Sequence, residues 1–184
     1  MLMVDFVTSF TPGAVPILEA GRHVSLNETI FEGHFPGLPI WPGALTIEGL
    51  GQTATLLRAI ATAYRHFERS GRDPDEALEA FRNLDRGARM HPGYRADEAR
   101  AFVRALREHA PRLAVGASVE MKFVQPVFAG CRLDYRAEWT DDLGDLMRFS
   151  VEASVEGRTV AKGTITGANV DLPGLWSDPP DAGA

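Results

Sequence analysis

Cysteine is all but absent from this sequence: Cys131 is the only one in 184 residues. That excludes an internal disulfide and a thiolate metal cluster, and it matches the usage of a reducing compartment. Basic charge is also in deficit. Nineteen Lys and Arg stand against 25 Asp and Glu, a formal net charge of −6. This balance argues against nucleic-acid binding, which needs a basic surface for its phosphate contacts. A local basic patch can still face an acidic partner. A long apolar run is missing too. Residues 46–64 come nearest, but Glu48, Gln52 and Arg58 interrupt them, so no membrane span is expected. Residues 1–10 have no basic stretch ahead of an apolar one, so no secretory signal is expected, and Asn27-Glu28-Thr29 is read as a chance glycosylation triplet. His23, His66, His91 and His109 do not cluster at metal-ligand spacing, and no metal or other cofactor is expected. What remains is a cytoplasmic globular protein of one domain, 1–184, whose 45% hydrophobic content suffices for a core.

Residues 4–7 and 17–26 are extended in character, and Pro12, Gly13 and Pro16 punctuate them, which predicts one or two strands with a turn. Pro36, Pro39 and Pro42 then recur every third residue. Proline fixes φ and removes a donor, so residues 31–43 are neither helix nor central strand, and a stiff, extended crossing is expected. After Gly43 the pattern changes at once. Residues 44–57 are apolar nearly all round, with small residues for close approach, and predict a buried helix that continues to Ser70.

Asp73-Pro74 is a start signal for a second helix, on which Leu78, Phe81 and Leu84 share a face. His91-Pro92-Gly93 breaks it. Ala99, Phe102, Val103 and Leu106 mark a third helix ended by Pro111, so residues 65–112 form a helical excursion. Beyond it the period switches to two: Val119, Met121, Phe123; Leu133, Tyr135, Ala137, Trp139; Phe149, Val151, Ala153, Val155; Val160, Gly163, Ile165. With turns at 140–145 and Glu156-Gly157, an antiparallel three-strand meander is expected. Residues 171–184 hold Pro173, Asp178, Pro179 and Pro180, the composition of a loose tail. The order gives an α+β fold, one antiparallel sheet round a hydrophobic helix.

Glu48 is the only acid among residues 44–57. A carboxyl buried in such a helix is costly unless hydrogen-bonded or neutral, and a neutral one can donate a proton. Gln52, four residues on along the same face, is placed to orient it. His34 sits in a loop stiffened by proline and glycine, and imidazole is a base at cellular pH. Gly43 opens the helix, where N–H groups lack partners and the dipole is positive, so its amide can stabilise charge on a thioester carbonyl. A base, an acid and an oxyanion donor in one short segment suit removal of a proton next to a carbonyl, with loss of a 3-hydroxyl.

Gly33-His34-Phe35-Pro36-Gly37, Pro39-Ile40-Trp41-Pro42-Gly43 and Ile47-Glu48-Gly49-Leu50-Gly51-Gln52 together resemble the signature of the bacterial β-hydroxyacyl-ACP dehydratases. Residues 27–57 carry the resemblance, and Lys122-Phe123-Val124-Gln125-Pro126-Val127 resembles a later strand motif more loosely. The resemblance implies a hot-dog fold, an antiparallel sheet wrapped around a central hydrophobic helix. It implies His34 as the base at C2, Glu48 as the acid to the departing hydroxyl, and Gly43 as donor to the thioester carbonyl. The Ile40 carbonyl would hold the histidine ring, Gln52 would support the acid, and Phe35 and Trp41 would line the acyl tunnel. The substrate would arrive on the phosphopantetheine of an acyl carrier protein, in fatty-acid or polyketide/polyene biosynthesis. Histidine and acid would come from opposite subunits of a homodimer, or of a heterodimer with another hot-dog chain.

The sequence departs from that pattern at residues 65–112, read as an inserted helical hairpin that either packs over the sheet edge without a further role, or caps the tunnel, docks the carrier or meets a partner. Trp41 replaces a smaller apolar residue and either redirects the tunnel or fills core. Two other readings stay open: a thioesterase on the same fold, and a non-catalytic acyl-binding or scaffold subunit.

Overall fold

The computed structural model describes residues 2–109 and 113–170. Pro111 and the expected tail, 171–184, lie outside the described residues. Two strands, β1 (Phe6–Thr11) and β2 (Ile17–Val24), form an antiparallel hairpin. The long helix α1 (Gly43–Arg69) follows, then α2 (Asp75–Ala88) and α3 (Ala96–His109). Four strands complete the chain: β3 (Leu113–Phe123), β4 (Cys131–Asp142), β5 (Leu146–Val155) and β6 (Arg158–Val170).

All six strands belong to one antiparallel sheet, in the order β1-β2-β4-β5-β6-β3. The expected meander is β4-β5-β6. The first strand after the helices, β3, passes to the far edge and pairs with β6.

Period-two patterning becomes a one-sided core. Leu133, Tyr135, Ala137 and Trp139 of β4 are buried, as are Met147, Phe149, Val151 and Ala153 of β5. Register sets large against small across the pair, Tyr135 opposite Ala153 and Ala137 opposite Val151, while the Trp139 and Phe149 rings lie 5.9 Å apart. Against this face α1 lays Leu50, Ala54, Leu57, Ile60 and Ala61. Gly49 brings the helix closest: a Cβ there would stand 2.3 Å from the Tyr135 hydroxyl. This is the hot-dog arrangement. None of the described helices is long and apolar enough to cross a membrane.

The α2–α3 hairpin has its own small core of Phe67, Ala63, Ala77 and Phe102. Asn83, almost fully buried, donates to the Arg95 carbonyl at 2.8 Å and accepts from the Arg95 N–H at 2.9 Å. One amide therefore pins the turn between the two helices.

The proline-rich segment is not an extended crossing. Thr29–Glu32 forms a short 3-10 helix, and residues 35–38 close into a turn in which Leu38 N–H donates to Phe35 O at 2.8 Å and Phe35 N–H to Leu38 O at 2.9 Å. Pro36 presets the turn's second residue, and Gly37 takes φ 77°, which favours glycine at the third.

Candidate active site

The turn at 35–38 doubles the chain back so that His34 and Ile40 face each other. Ile40 N–H donates to His34 O at 3.2 Å, and His34 Nδ1 lies 2.9 Å from Ile40 O. A carbonyl oxygen only accepts, so Nδ1 carries a hydrogen, and in the neutral imidazole the free lone pair is on Nε2. The ring is half-buried and stacks on Phe35 at 4.3 Å. Phe35 itself is 51% exposed.

Ile40 is fixed in turn by a bridge to Phe128, and Trp41 N–H donates to Val127 O at 2.8 Å. The Trp41 side chain is 3% exposed and lies in the main core, 6.1 Å from Phe31 and under the Arg22 guanidinium at 5.2 Å. Within this chain it fills core.

Pro42 precedes α1 with extended backbone and no side-chain cap, so Gly43 N–H is among the amides the helix leaves without an intrahelical acceptor. The Phe123 ring covers the Gly43 Cα. Five residues on, Glu48 is exposed. Burial within the chain was the expectation, and it fails because α1 faces the sheet with Thr46, Gly49, Leu50 and Thr53, leaving Ala44, Glu48 and Thr55 outward. Gln52 Nε2 donates to Glu48 Oε1 at 2.8 Å. Among the described residues no hydrogen bond or ion pair of one chain joins His34 to Glu48.

Arg22 escaped the sequence reading. It occupies an inward position of β2, in line with Leu18, Ala20 and Val24, and is only 9% exposed. A cation there must be paired. It donates to Glu28 at 2.6 Å and to Leu2 O at 2.9 Å, and stands 3.7 Å from Asp5. A lone arginine breaking an inward apolar alternation was the available signal. Cys131 is half-buried, and burial pushes its thiol up from the ordinary range.

The FabA-like domain model matches residues 1–76. The chain is 30% identical over 172 residues to the 3-hydroxyacyl-[acyl-carrier-protein] dehydratase FabZ of Thioalkalivibrio sulfidiphilus, across 93% of this chain and 88% of that protein. Two solved structures share the fold. Smu.793 of Streptococcus mutans, bound to acetyl CoA, has TM-score 0.53 at 13% identity over 92% of each chain. The dehydratase heterocomplex ApeI:P of Xenorhabdus doucetiae has TM-score 0.51 at 12% identity, over 93% of this chain and 84% of that one. At those identities the structures speak for the fold alone, whereas the match to the Thioalkalivibrio enzyme runs through nearly the whole sequence. This chain belongs to the FabZ family of 3-hydroxyacyl-[acyl-carrier-protein] dehydratases.

Proposed function

We propose that this chain removes water from 3-hydroxyacyl thioesters of acyl carrier protein, giving trans-2-enoyl thioesters, with His34 and Glu48 supplied to each site by two different chains. The observation that carries the reading is the His34–Ile40 clasp, which presents a basic Nε2 at a fixed place in the motif shared with the family. Nε2 takes the C2 proton. The electron pair moves toward the thioester carbonyl, whose growing negative charge meets the Gly43 N–H at the positive end of α1. Glu48, entering in its neutral form, gives its proton to the 3-hydroxyl. The C3–O bond breaks, water leaves and the C2–C3 double bond forms. The cycle closes when imidazolium loses a proton and the carboxylate regains one.

Two features support a site shared between chains. The edge strand β3 is 11 residues long, with Val119 and Phe123 about half exposed on the side that faces α1. A long apolar edge with open backbone groups favours pairing with another strand. The outward stripe of α1 carries small Ala44, Gly51 and Thr55 around Glu48, and a Cβ on Gly51 would meet nothing within 4 Å. A second chain laid on that stripe brings its own His34 to Glu48 and shuts water out. The partner is a second copy or another hot-dog chain. Phe35, exposed beside His34, is the first wall of the acyl path, with Trp41 behind it.

The test is to incubate the purified chain with a panel of 3-hydroxyacyl carrier thioesters and follow product mass. Loss of one water, abolished by His34→Ala and by Glu48→Gln, is the expected result. Release of free thiol with no enoyl product would assign hydrolysis instead, and an inert chain active only beside a partner would assign a supporting subunit.

A further inference from the structure

A run of hydrogen bonds reaches Glu48 from an unexpected direction, the segment ahead of β1. Met3 N–H donates to Gln52 Oε1 at 2.7 Å, and Gln52 Nε2 donates to Glu48 Oε1 at 2.8 Å. The two ends of one amide are thereby assigned. A backbone N–H only donates, so the end of Gln52 that it meets must be oxygen, and the end that meets Glu48 must be NH2. A flipped amide would set hydrogen against hydrogen at Met3.

The segment making this contact is held from both sides. Met3 and Val4 are buried. Arg22 Nη1 donates to Leu2 O at 2.9 Å, Asp5 N–H donates to Gly21 O at 2.9 Å, and the Asp5 carboxylate accepts from His23 N–H at 2.8 Å. From the helical hairpin, Arg89 Nη2 donates to Asp5 O at 2.8 Å. Residues 2–5 thus form a strap, clamped by β2 on one side and by the C-terminal end of α2 on the other.

We propose that this strap is a positioning element for the dehydration: through the Met3 amide it locks the orientation of Gln52, and so decides which oxygen of Glu48 bears the proton. The inference rests on Glu48 being the acid. In the neutral carboxyl the carbonyl-type oxygen is the better acceptor, so the Nε2–H of Gln52 selects Oε1 for that role and leaves the hydrogen on Oε2. Glu48 then presents a donor in one defined direction. With Gln52 unlocked, its amide turns and accepts the acidic hydrogen itself, and the proton faces the wrong way. The role also gives α2 a task, because Arg89 couples the hairpin to the strap at a distance from the reacting atoms.

Met3→Pro removes the donor, and Met3→Leu keeps both it and an apolar side chain. The expected result is a fall in kcat of about fivefold to tenfold for Met3→Pro with KM held within about twofold, and wild-type kcat restored by leucine at the same position. In a Gln52→Ala background, Met3→Pro should change nothing further, because the route through Gln52 is already cut. Equal losses with and without Gln52 would overturn the proposal and leave only general damage. Amide exchange gives a second reading that needs no change at Met3. The Met3 N–H should be protected in the native chain and lose protection in Gln52→Ala while that of Asp5 keeps it. A Met3 amide unprotected in the native chain overturns the proposal as well. Glu48→Gln separates the two levels: full turnover there rejects the acid itself, whereas a dead Glu48→Gln, with Met3→Pro and Gln52→Ala additive in chains that keep Glu48, rejects the strap alone.

Discussion

The ring of Phe123 stands where a side chain on Gly43 would begin: a Cβ built on Gly43 would lie 2.7 Å from the far carbon of the ring. β3 and the start of α1 are thereby locked at the place where the proposed oxyanion donor sits. Phe123 is half exposed on an edge strand, so the ring has room to swing away from Gly43 at little cost to the fold.

Gly43→Ala should therefore harm catalysis more than stability. We expect kcat/KM to fall about tenfold to a hundredfold, less than the roughly hundredfold to thousandfold loss when an oxyanion donor is removed outright, with a small change in Tm. Adding Phe123→Ala should restore part of the rate by making room for the methyl. Steady-state kinetics beside thermal unfolding checks both, and an unaffected rate in Gly43→Ala would remove Gly43 from the reaction.

Gly49→Ala should do the reverse. Its Cβ would stand 2.3 Å from the Tyr135 hydroxyl and 2.4 Å from the ring carbon bearing it. Tyr135 cannot retreat, because β4 is paired on both sides by β2 and β5. Overpacking of this kind costs about 1–3 kcal/mol, a drop of roughly 2–4 °C in Tm for each kcal/mol in a domain of this size. Denaturant or thermal unfolding decides it.

Tyr135→Phe should leave stability unchanged or raise it. The hydroxyl is buried and finds no hydrogen-bond partner among the described residues. Burial also pushes the phenol well above its ordinary value. A folded pKa above the unfolded value, near 10, means stability is complete below pH 10 and is lost as pH climbs beyond it. Replacing Tyr135 removes its share of that alkaline loss, which unfolding curves at pH 8 and pH 11 would reveal. A loss above about 1 kcal/mol at pH 8 would show that the hydroxyl has a partner after all.

Mixing two dead variants tests the shared site. His34→Ala and Glu48→Gln dimers, once their chains exchange, give mixed dimers with one intact site of two. With random exchange half the dimers are mixed, so about a quarter of wild-type activity should return. No recovery after proven exchange would place both groups in one chain.

Asn83→Ala addresses the hairpin. It strips both partners from the Arg95 backbone in a buried place, a loss of about 1–3 kcal/mol. Faster amide exchange should appear in α2 and α3 first, since their small core has its own buried residues and, on α2, meets the main one through Leu78 and Phe81. Uniform loosening of the whole sheet would show the hairpin to be part of the main cooperative unit.

How much of this was legible in the sequence varies with the range of the interaction. The inward positions of β4 and β5, the helix after Gly43 and the start of α2 follow local rules of period, capping and proline geometry, and they stand where the residues put them. The turn at 35–38 was also written locally, in Pro36-Gly37, but the three-residue spacing of prolines drew attention to an extended path. Glu48 shows a subtler miss. A helix apolar nearly all round suggests burial all round, yet Ala44, Gly51 and Thr55 are small rather than greasy, and their stripe is open in the single chain.

By itself, the sequence determined the motif from Gly33 to Gln52, the alternation of the strands and the family to which they belong, because each depends on neighbours a few residues apart. Only the tertiary structure decided that β3 lies beside β6, that Trp41 sits under a buried Arg22, and that Met3 touches Gln52. Those contacts join residues far apart in the chain. Which distant surfaces meet depends on the packing of the whole sheet around α1, and no local pattern encodes it.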